Sequence, residues 1–202
     1  MLRIGLTGPS GAGKGTVAML FARFGVPSVD TDAVYHELLL PPSACLDELA
    51  GTFGKGILAA DGSLNRSALA ALVFDPDHPR RLTTLNQITH RYILERTREL
   101  CAGYEKAGMA AVLIDAPVLF ESGFDKECDR TLAVLAAPSI RLARIMSRDG
   151  LDKAAAEARM DAQPSDDFYT ERSDAVLYNN HQHPEALLPS IQKLLDEWEV
   201  LA

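Results

Sequence analysis

Nine residues, Gly8-Pro9-Ser10-Gly11-Ala12-Gly13-Lys14-Gly15-Thr16, limit what this chain can become more than any other stretch. The apolar run Leu2-Arg3-Ile4-Gly5-Leu6-Thr7 precedes them and reads as a buried strand. Val17, Leu20, Phe21 and Phe24 follow at i, i+3, i+4 and i+7, the spacing of one buried helical face. Strand, glycine-rich turn and helix in that order form the setting of a phosphate-binding loop. Glycines let the backbone close around an anion, successive N–H groups point inward, and the helix N-terminus adds positive dipole. Gly8, Gly11, Ala12, Gly13, Lys14, Gly15 and Thr16 are therefore candidate phosphate ligands. Lys14 can reach the β- and γ-phosphates as a point charge.

The standard pattern places Ser or Thr directly after the lysine, where its hydroxyl binds magnesium. Here Gly15 takes that place and Thr16 comes one later. Gly-Lys-Gly-Thr resembles the loop of adenylate-kinase-like nucleotide kinases, in which the threonine meets a phosphate and magnesium is held largely through water. Thr16 is kept as a metal candidate on that footing.

The chain of 202 residues suffices for one sizeable core with small appendages. A hydrophobic fraction of 47% and a charged fraction of 24% are ordinary for a globular protein. The net charge of −8 argues against a general nucleic-acid binder, which carries a basic face. No run approaches the roughly 20 apolar residues of a membrane span, and no signal peptide is visible, so a cytoplasmic protein is expected. Cys45, Cys101 and Cys128 are odd in number and far apart, which suggests neither a disulfide framework nor a zinc site.

A second strand is expected at Val26-Pro27-Ser28-Val29, ending in Asp30-Thr31-Asp32. Carboxylates at the C-terminal edge of a strand lie where open α/β sheets place ligands. Asp30 or Thr31 caps the following helix, and Asp32 is the catalytic candidate, able to take a proton from an acceptor hydroxyl. Residues 33 to about 109 read as a helical insertion, interrupted at Pro41-Pro42, at Asp61-Gly62 and at Asp75-Pro76-Asp77-His78-Pro79. In phosphotransferases such an insertion commonly supplies the acceptor site.

Ala110 to Asp115 reads as a third strand, Arg130 to Leu135 as a fourth and Ala175 to Tyr178 as a fifth, with a closing helix from Leu187 to Trp198. Asp115, at a strand end, serves magnesium or caps the next turn. Helices are expected over Ser139 to Ser147 and Ala154 to Ala162, carrying Arg141, Arg144, Arg148 and Arg159. Arginines on a helix usually form a solvated face. Beside a triphosphate site, four of them within twenty residues read as a lid over 139–165 that neutralises transferring phosphate.

These residues together resemble the dephospho-coenzyme A kinase family over nearly the whole chain. The resemblance rests on the loop, on Val29-Asp30-Thr31-Asp32, on Asp61-Gly62-Ser63-Leu64-Asn65-Arg66, and on Leu85-Asn86-Gln87-Ile88-Thr89-His90. It continues through Asp115-Ala116-Pro117-Val118-Leu119-Phe120-Glu121, Arg144 to Asp149, Arg159 with Gln163, and Asn179-Asn180. It implies a single P-loop kinase domain over 1–202: a five-stranded parallel sheet flanked by helices, with an acceptor-binding subdomain over 33–109. It implies ATP with Mg2+ as cofactors and dephospho-coenzyme A as the small-molecule partner, phosphorylated on its ribose 3′-hydroxyl. By similarity Asp32, Lys14 and Arg148 are catalytic, and Arg144, Arg159 and Asn180 join the loop in binding ATP. Asp32, His90, Pro117, Leu119 and Glu121 line the acceptor side, and Thr16 and Asp115 are the metal candidates. In this chain Gly15 stands for the family's usual serine, His36 for a frequent arginine, Arg91 for a proline and His181 for a glycine. Two other readings compete. One is a different small-molecule kinase on the same fold. The other is a GTPase-like switch, against which no Asn-Lys-x-Asp guanine-reading sequence is found.

Overall fold

The computed structural model describes residues 1–201. Its sheet has five strands, β1 Leu2–Thr7, β2 Ser28–Asp30, β3 Ala111–Asp115, β4 Arg130–Leu135 and β5 Ala175–Tyr178, in the order β2-β3-β1-β4-β5. Strand β1 pairs parallel with β3 through Ile4↔Leu113 and with β4 through Leu6↔Leu132, and β4 pairs parallel with β5. The expected five-stranded parallel sheet is present. With β1 at its centre, the turn after Thr7 opens at the carboxyl edge between β3 and β4, where such sheets collect ligands.

The nine α-helices among the described residues are α1 Lys14–Ala22, α2 Thr31–Leu38, α3 Ala44–Phe53, α4 Arg66–Val73, α5 Arg80–Lys106, α6 Pro138–Asp149, α7 Lys153–Asp161, α8 Asp166–Thr170 and α9 Leu188–Glu197. Strand β4 shows why both faces of the sheet are covered. Its side chains alternate, so Leu132 and Val134 join Val17, Phe21, Ile191 and Leu195 from α1 and α9. Ala133 and Leu135 turn the other way, to Tyr169 and the partly buried Phe120 and Phe168. Gly5 is required in β1 because a Cβ there would lie 2.8 Å from Cys128 Sγ and 2.9 Å from Leu119 Cδ2.

The second strand starts two residues later than the apolar run Val26 to Val29 and ends one residue beyond it, at Asp30. Pro27 still accepts from the Leu113 N–H at 2.8 Å, but a proline has no N–H to return to the ladder. Helix α8 and three 3-10 turns, at 55–57, 124–127 and 184–187, were not expected. They are one turn or little more, too short to show a period.

The chain divides into two compact units, residues 1–29 with 101–202 and residues 30–100. The second has its own core, in which Leu39, Cys45, Leu49, Ile57, Leu69, Val73 and Ile88 pack together. Its helices begin where caps are available: Ser43 Oγ accepts from the Leu46 N–H at 3.3 Å and Asn65 Oδ1 from the Ala68 N–H at 3.1 Å. No helix among the described residues is long and apolar enough to cross a membrane.

The three cysteines are unpaired. Burial pushes the Cys45 thiol up to about 11 and the Cys128 thiol up to about 12, with nearby carboxylates adding to both, and it raises that of Cys101. A thiol is a nucleophile only as thiolate. A disulfide reagent at pH 8 is therefore expected to titrate less than one thiol in the native protein and all three after denaturation. Rapid native labelling of any of them would contradict these surroundings.

Candidate active site

The glycine-rich turn is held in shape from below and from one side. Helix α1 starts at Gly13, whose φ of 96° is left-handed and which offers no side-chain cap. Its first N–H groups thus point out of the helix without a side-chain acceptor, the arrangement that receives a phosphate. A Cβ on Gly13 would come within 2.3 Å of Asn179 Nδ2, and one on Gly8 within 2.2 Å of the Val134 carbonyl oxygen. Lys14 Nζ donates to the Gly8 carbonyl at 3.0 Å, so the ammonium folds back across the turn.

The carbonyls on the outer side of the loop are taken up by α6 and by the end of β5. Arg144 donates to the Gly11 and Ala12 carbonyls, each at 3.2 Å, and to the Asn179 carbonyl at 3.2 Å. Buried Asn179 donates from Nδ2 to the Ala12 carbonyl at 2.9 Å. Arg141 Nε donates to the Ser10 carbonyl at 3.1 Å, and the Ser10 N–H donates to Gln163 Oε1 at 2.9 Å. Arg141 also reaches Gln163 Oε1 at 3.4 Å and Asp166 Oδ1 at 3.3 Å. With the Ser10 N–H spent on Gln163 Oε1 and the Ala12 N–H on the Pro9 carbonyl, it is the N–H groups of Gly11, Gly13 and Gly15 that can face an anion.

Of the two readings of the arginine row, solvated face or phosphate lid, neither describes Arg141: it is only 6% exposed and supports the loop. Arg148 is exposed and donates to Ser10 Oγ at 3.2 Å, and in fork fashion to Asp149 at 2.8 Å for both bonds. Arg159 meets the same carboxylate at 2.9 Å. The hydrogen bond from Arg148, followed by the charges of both arginines, holds the Asp149 carboxyl below its ordinary range. Gly11, Gly13, Thr16, Arg144, Ser147 and Arg148 line a cavity of about 510 Å3, within the range of small-molecule sites. Left-handed glycines, outward carbonyls and two arginines at one cavity fit a nucleotide's phosphates.

A model of the dephospho-CoA kinase family matches residues 2–185. The chain belongs to this family. The dephospho-CoA kinase of Syntrophotalea carbinolica is 39% identical over 180 residues, 89% of this chain and 84% of that protein. The dephospho-CoA kinase of Geobacillus kaustophilus is 32% identical over 200 residues, 99% and 98% of the two chains. Among solved structures, a Thermus thermophilus protein superposes with a TM-score of 0.78 at 32% identity, covering 97% of each chain. A shikimate kinase from Bacteroides thetaiotaomicron shares the fold at a TM-score of 0.55 and 18% identity, over 96% of this chain and 98% of that one.

The other candidates of this dephospho-CoA kinase family member fall in both units. In the unit of residues 30–100, Asp30 settles which residue caps α2: its Oδ1 accepts from the Asp32 N–H at 2.9 Å and the Ala33 N–H at 3.1 Å. Asp32, exposed in the first turn, is thereby spared the capping role. His90 sits half-buried on α5, and burial lowers its pKa, so the ring is neutral at neutral pH.

In the other unit, Asp115 closes β3 and the Pro117 carbonyl accepts from Thr7 Oγ1 at 3.3 Å. Leu119 is fully buried against Gly5 and seats the turn that carries Pro117 and exposed Glu121. Asn180 Oδ1 accepts from the Ala137 N–H at 2.8 Å, anchoring the start of α6. The support given by Asn179 and Gln163 was not anticipated. The signal for Asn179 was its place at the end of the fifth strand, on the sheet's ligand edge.

Proposed function

We propose that this protein transfers the γ-phosphoryl group of ATP to the ribose 3′-hydroxyl of dephospho-coenzyme A, giving coenzyme A and ADP, the last step of coenzyme A biosynthesis. The observation that carries the reading is the phosphate cradle from Gly8 to Thr16, built into a chain of the dephospho-CoA kinase family. The oxygen of the 3′-hydroxyl attacks the γ-phosphorus, the bond to the β-phosphate bridging oxygen breaks, and the hydroxyl proton passes to Asp32. Lys14 and the loop amides hold the phosphates, and Arg148, with Arg144 and Arg159, offsets the charge that builds on the moving group. Such a reaction needs positioning and charge neutralisation more than covalent chemistry, so this cast is sufficient.

Residues 33–109 act as the acceptor-binding part, with His90, Pro117 and Glu121 contributing to the acceptor side, and 139–165 act as the lid. The three unpaired thiols support a reducing compartment, the cytoplasm. Thr16 and Asp115 are the side chains that would help hold Mg2+ arriving with the nucleotide, and the ion would supply charge neutralisation to the phosphates. Among the described residues no group of three or more His, Cys, Asp or Glu could hold a metal, which suits an ion kept by phosphate oxygens and water.

The deciding experiment is ADP release from the purified protein with ATP and Mg2+, with and without dephospho-coenzyme A. Release that depends on this acceptor is expected; release driven only by a different acceptor would overturn the substrate. Gly15 allows a second test. It is exposed, and nothing lies within 4 Å of a Cβ built there. A Gly15→Ser protein is expected to fold normally and to reach half-maximal rate at lower Mg2+, since it gains the hydroxyl usual after the loop lysine. An unchanged Mg2+ requirement would show that this position does not address the ion.

A further inference from the structure

The unit of residues 30–100 contains a cavity of about 250 Å3 that no residue discussed above as catalytic lines. Its walls are Leu39, Leu64, Leu69, Val73 and Leu85, and Phe74 stands at its rim with 70% of its surface exposed. Its polar groups are Tyr35 and Arg66. The Arg66 guanidinium donates to His36 Nδ1 at 2.8 Å, which fixes the ring nitrogen as the acceptor. A guanidinium has five N–H donors. One bond to His36 orients the fork, and the others can address an anion.

We propose that this cavity is the subsite for the pantetheine arm of dephospho-coenzyme A, with Arg66 taking the diphosphate at its mouth. The inference rests on the function proposed above and assigns the part of the site that sets acceptor identity. Three observations carry it. The first is order along α2: Asp32, then Tyr35 and His36 one turn on, then Leu39 at the C-terminal cap, follow at i, i+3, i+4 and i+7 and so share a face. From Asp32 to Leu39 the helix advances about 10 Å at about 1.5 Å per residue. The acceptor molecule has the same order: a ribose hydroxyl, a 5′-diphosphate, then an arm beginning with a gem-dimethyl group.

The second observation is size. The cavity falls below the roughly 300–1,000 Å3 of sites that enclose a whole small molecule, so it suits one limb of an extended ligand. The third is chemistry. A cation at the mouth and leucines behind it match a phosphate followed by an apolar limb, whereas a purine would meet few hydrogen-bonding partners among those walls.

The test uses 4′-phosphopantetheine, which is the arm and one phosphate without the nucleoside, measured by calorimetry and as an inhibitor of the full-length protein. It is expected to bind, and to compete with dephospho-coenzyme A but not with ATP. Arg66→Ala, a surface change, and Ala70→Phe, which places a ring in the cavity, are each expected to weaken that binding about tenfold or more. Both are expected to leave the KM for ATP within about twofold. Absence of phosphopantetheine binding would overturn the proposal. So would unchanged binding in a folded Ala70→Phe protein whose KM for dephospho-coenzyme A has risen, since the cavity would then hold the nucleoside end. Should Ala70→Phe not fold, Arg66→Ala decides by the same reading. Calorimetry needs no turnover, so failure of the kinase assay and failure of the subsite are separate results.

Discussion

An Asp32→Asn protein is expected to lose about 10^2- to 10^4-fold in kcat with dephospho-coenzyme A, the range for removal of a general base. The KM for ATP is expected to change little. The substitution is isosteric, and the structure removes the ambiguity that would otherwise blur it. Asp30, not Asp32, accepts the first N–H groups of α2. Losing the Asp32 charge near a helix N-terminus costs about 0.3–1 kcal/mol, which thermal unfolding can separate from a loss of rate. An Asp30→Ala protein supplies the opposite pattern, giving up about 0.5–2 kcal/mol of helix capping. If Asp32→Asn keeps its rate, the proton leaves by another route and Asp32 is not the base.

Gly13→Ala is expected to be the most damaging single change to nucleotide binding. The new Cβ would sit 2.3 Å from Asn179 Nδ2 at a φ of 96°. A left-handed non-glycine residue costs about 1–3 kcal/mol, and crowding into a packed site about 1–3 kcal/mol more. Relief by moving Asn179 aside would break its bond to the Ala12 carbonyl and disturb Arg144, which contacts both Asn179 and the loop. ATP affinity measured by calorimetry is expected to fall below detection, with a lowered Tm. Gly15→Ala, two residues along, meets nothing within 4 Å and serves as the contrasting control. Wild-type ATP affinity in Gly13→Ala would mean that the cradle does not depend on this contact.

What the sequence disclosed was whatever leaves a local period or a local motif. The strands β1, β3 and β4 were legible because parallel strands buried on both faces are continuous apolar runs, and the edge strand β5, though only partly buried, is still a run of apolar residues. The loop was legible because its chemistry is written in nine adjacent residues. Helix α8 was not, since five residues hold little more than one turn. The duties of Arg141, Gln163 and Asn179 were not either. Arg141 in isolation has the character of a surface residue; only the fold brings Ser10, Gln163 and Asp166 to it and lets it be buried. The cap of α2 could be narrowed only to Asp30 or Thr31, because one residue of separation is less than the uncertainty of a helix start.

The braces on the loop also have a meaning for how the protein is made. Gly8 to Thr16 leave the ribosome well before their braces, and the carbonyl of Ala12 waits for Asn179, 167 residues later. At about 5–20 residues per second, that interval is about 8–33 s. For that time the nascent chain carries the whole loop without its last brace. Nucleotide that arrives in that interval meets a loop not yet held at Ala12, so the full affinity of the cradle is expected only once β5 is in place.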